Sequence, residues 1–505
     1  MIGAGPRRLP VLILVPVALM ALGFLVETRG LFPQLRFGIS RAPADAPSTL
    51  AVPPEELARG VSTVSLYLRP EDLHDPATGI IASKANKMKH GPDWERPGWV
   101  SFFENGRLVY SSGVGVRLHG GSSRQLPRPQ GFRLYFRRRY SATPLPGEIA
   151  FGPSHGHPLR RLILHNDLRI GRDRVRWHLV NPLAYDIATA IGAIASPSRP
   201  VRFLLNGEFQ DVFVLAEHLH PRDYFVAHRG YPVSLNYDEF NQMWRQVRAM
   251  RPLTMASVGH LVDLDNLTRW FIATVFCATN DAYQGPGQFR DPTRESAQWF
   301  FVNWDMDGSF RQPEQDTFWY LLSRTGRPRG RRPNEPRPRI LVTLLDDDLE
   351  YRAYFQRVWT DVMNHVLTPA FLDERYEYYR AAAERLGLGQ PDREYLPLLR
   401  EFLDRRPAVV WKTATEWLRT GPAVPCHIGG TRGAVVIDGR RVAPGWQGSY
   451  FPGMRLTVSV PPDLASSFSH WVVNGAEVQG STLALDANAT LDIEPIWRSE
   501  VTTTQ

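Results

Sequence analysis

Lysine is scarce in this chain: only Lys84, Lys87, Lys89 and Lys412 are found among its 59 Lys and Arg residues, and none lies between 90 and 411. Any phosphate contact made in that span must therefore come from planar guanidinium groups or from neutral donors, not from an ammonium point charge. Cysteine is nearly absent as well. Cys277 and Cys426 are too few for a disulfide framework or a cysteine-based zinc site, although one bridge between them stays open. Cys277 falls in an apolar helical pattern and is expected in the core. No internal repeat is evident in the larger part of the chain.

With 505 residues, 43% of them hydrophobic and 11% aromatic, disorder throughout is excluded and more than one domain is expected. A net charge of +8 and a pI near 9.5 point to acidic partners such as phosphorylated ligands, nucleic acid or an anionic surface. At the N-terminus, Arg7 and Arg8 precede an uncharged stretch over 9–26. That length is near the lower limit for crossing a hydrocarbon core, and no good small-residue cleavage site follows. The reading is a signal anchor over 1–30, with the bulk of the chain outside the cytoplasm; a cleaved signal peptide would change the anchoring but not the compartment.

A Pro/Ala-rich linker follows over 31–60. From 61 the pattern alternates. VGVRLHGG sets Val114, Val116 and Leu118 against Arg117 and His119, and GFRLYFR sets Phe132, Leu134 and Phe136 against Arg133, Tyr135 and Arg137. These predict a hairpin with a Gly/Ser/Arg-rich loop. A second hairpin is predicted around Asn206-Gly207, with Phe213, Leu215 and Glu217 sharing a face of its return strand. Helices are predicted over 173–191, over 265–279 behind an Asp cap, and in succession over 344–418. Residues 421–498 read as a small all-β sandwich, and 499–505 as a tail.

The chemistry-bearing motifs begin with NWDMDGSF, 303–310. Continued as a strand, it would bring Asp305 and Asp307 to one side and turn Met306 away. Such a pair of hard oxygen ligands suits Mg or Mn, and a turn cap at Gly308 is the plainer alternative. Upstream, Asp281 leaves a buried helix for a Gly/Pro-rich loop, where a carboxylate can accept a hydroxyl proton in phosphoryl transfer; Gln288 offers an amide as a further metal ligand. In HGGSSRQLPRPQ, glycines allow close approach to phosphate, and Ser122, Ser123 and Arg124 offer donors; a polar hairpin loop would read the same.

Taken in order, DWERP, VGVRLHGGSSR, GFRLYFR, LHNDLRIGRDRVR, FLLNGEFQDVFVLAEHL, TND and NWDMDGSF resemble the spore-coat-protein-H-like (CotH) kinase family over roughly 62–420. The resemblance implies an α+β fold of divergent protein-kinase type over 61–420, with a β-rich N-lobe and a helical C-lobe. It also implies ATP and a divalent metal as cofactors, and transfer of phosphate to protein Ser or Thr hydroxyls. By position, Asp281 would be the catalytic aspartate, Asp305 the metal-binding aspartate supported by Asp307, and Glu217 a glutamate of the nucleotide cleft. Asn166 and Asp167 match a motif of unassigned role. The sequence departs from the family at Gln130-Gly131, where relatives often carry Lys, so Arg124 or Arg133 would have to meet the phosphates. It departs again at Gln288, where Asn is usual. The sandwich resembles β-repeats of bacterial surface proteins.

RTGRPRGRRPNEPRPR, from Arg324 to Arg339, holds seven Arg in sixteen residues. It could recruit an acidic protein substrate or be a solvated loop. It lacks interleaved aromatics, so nucleic acid is not an expected partner. A catalytically silent kinase fold serving as a cell-envelope scaffold is the alternative function.

Overall fold

Strands form where the sequence alternates. In the computed structural model these are β1 (Thr63–Tyr67), β2 (Arg96–Glu104), β3 (Arg107–His119), β4 (Gly131–Tyr135), β5 (Arg161–His165), β6 (Ile194–Ala195), β7 (Ser198–Leu205) and β8 (Glu208–Glu217), followed later by β9 (Gln288–Arg290) and β10 (Trp299–Asn303). The structure describes residues 52–125, 129–140, 143–166, 177–279, 288–290, 297–322 and 336–498. The 1–30 anchor and the 499–505 tail lie outside them. No helix of the described residues is long and apolar enough to cross a membrane.

The chain divides into two compact units. The first contains Arg133–Arg160, Phe203–Gln210 and the residues up to Gln125. Its frame is the antiparallel meander β1–β2–β3. Asn105 (φ 50°) and Gly106 (φ 73°) make the tight turn between β2 and β3, the left-handed pair that such a two-residue turn requires. The β7–β8 turn uses Asn206 and Gly207 in the same way, at φ 52° and 84°, as predicted. Asn206 there bonds Leu66 through its N–H and accepts from Leu68 N–H through its side chain, at 2.8 and 2.9 Å.

The second unit takes the remainder. It pairs β5 with the second half of β8, and β10 with β6 in parallel and with β9 antiparallel. Its α-helices of six residues or more among the described residues are α1 (Val180–Ala190), α2 (Asp223–Arg229), α3 (Tyr237–Ala249), α4 (Leu264–Phe276), α5 (Thr317–Leu322), α6 (Pro336–Asp347), α7 (Leu349–Asp361), α8 (Pro369–Leu386) and α9 (Gln390–Leu418). α4 begins where the sequence placed its cap: the Asp263 carboxylate accepts from Asn266 N–H at 2.9 Å. It is buried almost all round, as a core helix should be. The Asn266 side chain then exchanges two hydrogen bonds with the backbone of Phe301, fixing α4 against β10. The arginine-rich stretch is not loop to its end. Arg337 lies in the first turn of α6, 3% exposed, over the ring of Trp270; 323–335 lie outside the described residues.

Residues 424–497 form two sheets, of strand order β14-β11-β19-β16-β17 and β13-β12-β15-β18. The nine strands are β11 (Val424–Ile428), β12 (Val435–Ile437), β13 (Arg440–Val442), β14 (Gln447–Tyr450), β15 (Arg455–Ser459), β16 (Phe468–Val473), β17 (Ala476–Val478), β18 (Thr482–Asp486) and β19 (Leu491–Trp497). Their inward residues, among them Trp471, Tyr450, Ile428 and Val458, close one core. The sandwich is fastened to the helices. Asn364 exchanges two 3.0 Å hydrogen bonds with Ser449, Arg440 forks onto Asp361, and His365 stacks on Trp446.

Cys277 and Cys426 are both buried and unbridged. Burial pushes the Cys277 thiol up, and pushes Cys426 up to about 12. Since the thiolate is the reactive form, neither should react with a chromogenic disulfide reagent until the protein is unfolded. Fast labelling of one thiol in the native state would contradict this placement.

His178 joins distant parts of the second unit. Its Nδ1 lies 3.0 Å from Asp392, in the first turn of α9, and its Nε2 lies 3.2 Å from Asp211 on β8. Burial would lower its pKa, but the two carboxylates raise it to about 10. A base whose folded pKa exceeds its unfolded value of about 6.5 stabilises fully below that value and less as pH climbs toward 10. The urea midpoint should therefore fall between roughly pH 6.5 and 10. His178→Phe should remove that part of the slope; an unchanged slope would show that the imidazolium carries none of it.

Candidate active site

The turn after β10 does not continue the strand. β10 ends at Asn303, so the expectation that Asp305 and Asp307 share a strand face is corrected: both lie in the connection beyond it. Asp305 sits at φ 59°, a left-handed backbone that Asp tolerates better than most residues. Its N–H donates to the Tyr185 hydroxyl of α1 at 3.2 Å, and Trp304 beside it stacks on the Tyr185 ring. Met306 is buried at 1% exposure, whereas Asp305 and Asp307 are half-buried. The carboxylates thus occupy the outer side of a turn whose apolar residue is its anchor.

The far end of the turn is held just as closely. Phe310, at φ 55°, donates its N–H to Cys277 C=O at 2.9 Å, next to Ala278 at φ 54°. The Phe310 carbonyl accepts from the Tyr395 hydroxyl of α9. Ala278 and Phe310, both with left-handed backbone, therefore meet where α4 ends, and Asp305 is a third such residue in the same turn as Phe310. Such conformations cost of order 1–3 kcal/mol each and persist where the surroundings impose them, commonly at functional sites.

Arg406 of α9 closes the base of this arrangement. It is 1% exposed and donates to Phe276 C=O at 3.0 Å, Pro313 C=O at 2.6 Å, Gln315 C=O at 2.9 Å, Thr317 Oγ1 at 3.1 Å and Val275 C=O. It satisfies carbonyls at the end of α4 that have no partner within the helix, and ties them to the chain after the Asp305 turn. Thr279, the last described residue before Asp281, is buried here. Asp281 itself lies outside the described residues, as do Asp167 and the side chains of Ser122 and Gln288. The backbone of Gln288 opens β9 against Phe301 of β10.

Glu217 ends β8, 4% exposed, and its carboxylate lies 2.9 Å from His228 Nε2 on α2; Tyr224 stacks on that imidazole. Asn166 is buried after β5.

In the first unit, the Gly-rich loop is described as far as Gln125. Gly120 has φ 106°, and a Cβ there would collide with the Ser123 hydroxyl. Arg124 points inward, 4% exposed, donating to Leu118 C=O at 2.9 Å and to Lys87 and Lys89 C=O at 3.2 Å each. It fastens the loop to the 87–90 segment. Arg133 lies on the face of β4 opposite Phe132 and Leu134, and donates Nε to His119 at 3.1 Å.

Residues 221–419 match the CotH kinase protein family. The CotH match takes in Asp281, Gln288, Asp305, Asp307 and Arg406, and stops short of Glu217 and the Gly-rich loop. No curated protein matches the chain. A crystal structure of a Helicobacter pylori proinflammatory kinase, CtkA, aligns over 59% of this chain and 94% of that one, at 9% identity. Its TM-score of 0.28 is too low to establish a shared fold.

Arg406 and His178 were not read from the sequence. Their partners lie 130 and 214 residues away, so no local pattern could have named them.

Proposed function

We infer that the protein is a kinase-type phosphotransferase that moves the γ-phosphoryl group of ATP to a Ser or Thr hydroxyl of a protein. The observation that carries this reading is the Asp305 turn, held in left-handed backbone against the end of α4 inside the CotH kinase match. Two half-buried carboxylates on one turn are the hard oxygen donors that Mg or Mn prefers, and Asp305 and Asp307 would hold it, with Gln288 as a further ligand. Bound there, the cation supplies neutralisation of charge on the phosphate oxygens.

Asp281 accepts the proton of the acceptor hydroxyl as its oxygen bonds to phosphorus and the bond to the departing ADP oxygen breaks. Glu217, oriented by His228, lines the nucleotide side. Ser122 and Ser123 donate to phosphate from the Gly120–Gly121 loop, which Arg124 anchors. The chain is held at a membrane by 9–26 with its bulk outside the cytoplasm, and the arginines of 324–335 attract an acidic stretch of the acceptor protein.

Transfer of labelled γ-phosphate by the full-length chain, with Mg or Mn and a mixture of acidic proteins, tests the reading. Incorporation that requires the metal supports it. Its absence with both metals favours the silent scaffold, for which the lack of lysine between 90 and 411 is the motive.

A further inference from the structure

Trp304 and Asp305 are tied to one residue of α1 by two different contacts. The Trp304 ring stacks on that of Tyr185, with centroids 6.0 Å apart and planes 16° from parallel, and the Asp305 N–H donates to the Tyr185 hydroxyl at 3.2 Å. Tyr185 is 3% exposed. Its hydroxyl therefore meets the turn inside the fold, where a hydrogen bond is not traded freely for one to water.

The two contacts act on the backbone that aims the Asp305 carboxylate. Stacking fixes Trp304, whose side chain also packs on Ile163 of β5 and on Val214 and Ala216 of β8. The hydrogen bond fixes the peptide plane between Trp304 and Asp305, and with it the left-handed φ of 59°, a conformation that persists where its surroundings hold it. On the other side, Met306 is buried and its carbonyl accepts from Ser309 N–H at 3.1 Å. A backbone held on both sides gives the Cα–Cβ bond of Asp305 one direction.

The mount behind Tyr185 is itself pinned. Asp186, the next residue of α1, accepts from the Tyr379 hydroxyl at 2.8 Å and from Arg375 at 3.4 Å, both on α8. Tyr379 is buried, as is most of α1. A helix packed in this way cannot follow a displaced turn, so the Tyr185 hydroxyl is a fixed reference point for Asp305.

We propose that Tyr185 is a positioning residue of the phosphotransferase, its hydroxyl holding Asp305 in the orientation in which the carboxylate takes the divalent cation. The proposal rests on the reading of Asp305 as a metal ligand, and gives a role to a residue outside every motif that supported that reading. Groups that orient a metal-binding side chain typically carry about 10–100-fold in metal affinity. Without the hydroxyl, the Asp305 N–H loses this acceptor and its peptide plane is released. The carboxylate must then be ordered on each binding event, and that cost appears in the affinity.

Electron paramagnetic resonance of Mn tests the proposal. Mn is titrated into the full-length chain with a non-hydrolysable ATP analogue, the same titration without protein is subtracted, and the Mn dissociation constant is read with no transfer taking place. Tyr185→Phe keeps the stacked ring and adds no bulk; it should raise that constant about tenfold. Tyr351→Phe is the comparison: it removes another buried hydroxyl, bonded to Thr268 Oγ1 of α4 at 2.7 Å, and should leave the constant as in the parent. Melting curves without ligand establish that both variants are folded. An unchanged constant in Tyr185→Phe, or an equal rise in Tyr351→Phe, overturns the proposal. Asp305→Asn separates it from the reading beneath it. Mn binding lost there but unchanged in Tyr185→Phe removes the role of Tyr185 alone, whereas parent-like binding in Asp305→Asn removes the metal reading and the proposal together.

Discussion

Asp305→Asn is expected to lower phosphoryl transfer by about 10²–10³-fold, through loss of a few kcal/mol of transition-state stabilisation. Asparagine is the informative replacement because it tolerates the left-handed backbone found at φ 59° and keeps the side-chain shape, while removing the charge. The stacking of Trp304 on Tyr185 and the anchoring of Met306 are untouched, so the variant should still fold, which a melting curve checks. Asp281→Asn should cost a similar factor through the lost proton acceptor. The double variant should fall well short of the product of the two, since both groups serve one transition state. Steady-state kinetics with a fixed acceptor check each factor. Undiminished transfer in folded Asp305→Asn protein would remove that residue from the mechanism.

Arg406→Leu is expected to destabilise the protein by several kcal/mol, because the buried carbonyls it serves lose a donor and each unsatisfied group in the interior costs about 1–3 kcal/mol. Leucine fills part of the space but removes the Arg406 donor from the carbonyls of Phe276 and Pro313, and one of two donors from those of Val275 and Gln315, and each such loss in the interior is costly. Burial pulls this guanidinium's pKa down to about 10, so it is still charged at neutral pH. Because Arg406 joins the end of α4 to the chain beyond Phe310, transfer should also fall at temperatures where the variant is folded. A urea titration reads the first effect. A midpoint within about 1 kcal/mol of the parent would show that water replaces these bonds without penalty.

The sequence was most informative where structure is local. Alternation in GFRLYFR, the Asn206-Gly207 turn and the Asp263 cap each involve residues within a few positions of one another, and each is found as expected. The Asp305 pair was read as strand geometry, with a turn cap at Gly308 as the alternative, because Trp299 to Val302 carry strong strand character; the structure has the turn. That turn is imposed by Tyr185, Cys277 and Tyr395, residues far away in sequence.

The most direct measurement is the melting temperature of the full-length chain with ATP and Mn, each alone and together. A ligand that binds the native state raises it by mass action. The expected result is a clear rise with ATP and Mn combined, little with either alone, and none in Asp305→Asn. No rise with the combination, or an equal rise in Asp305→Asn, would contradict a metal-dependent nucleotide site at this turn.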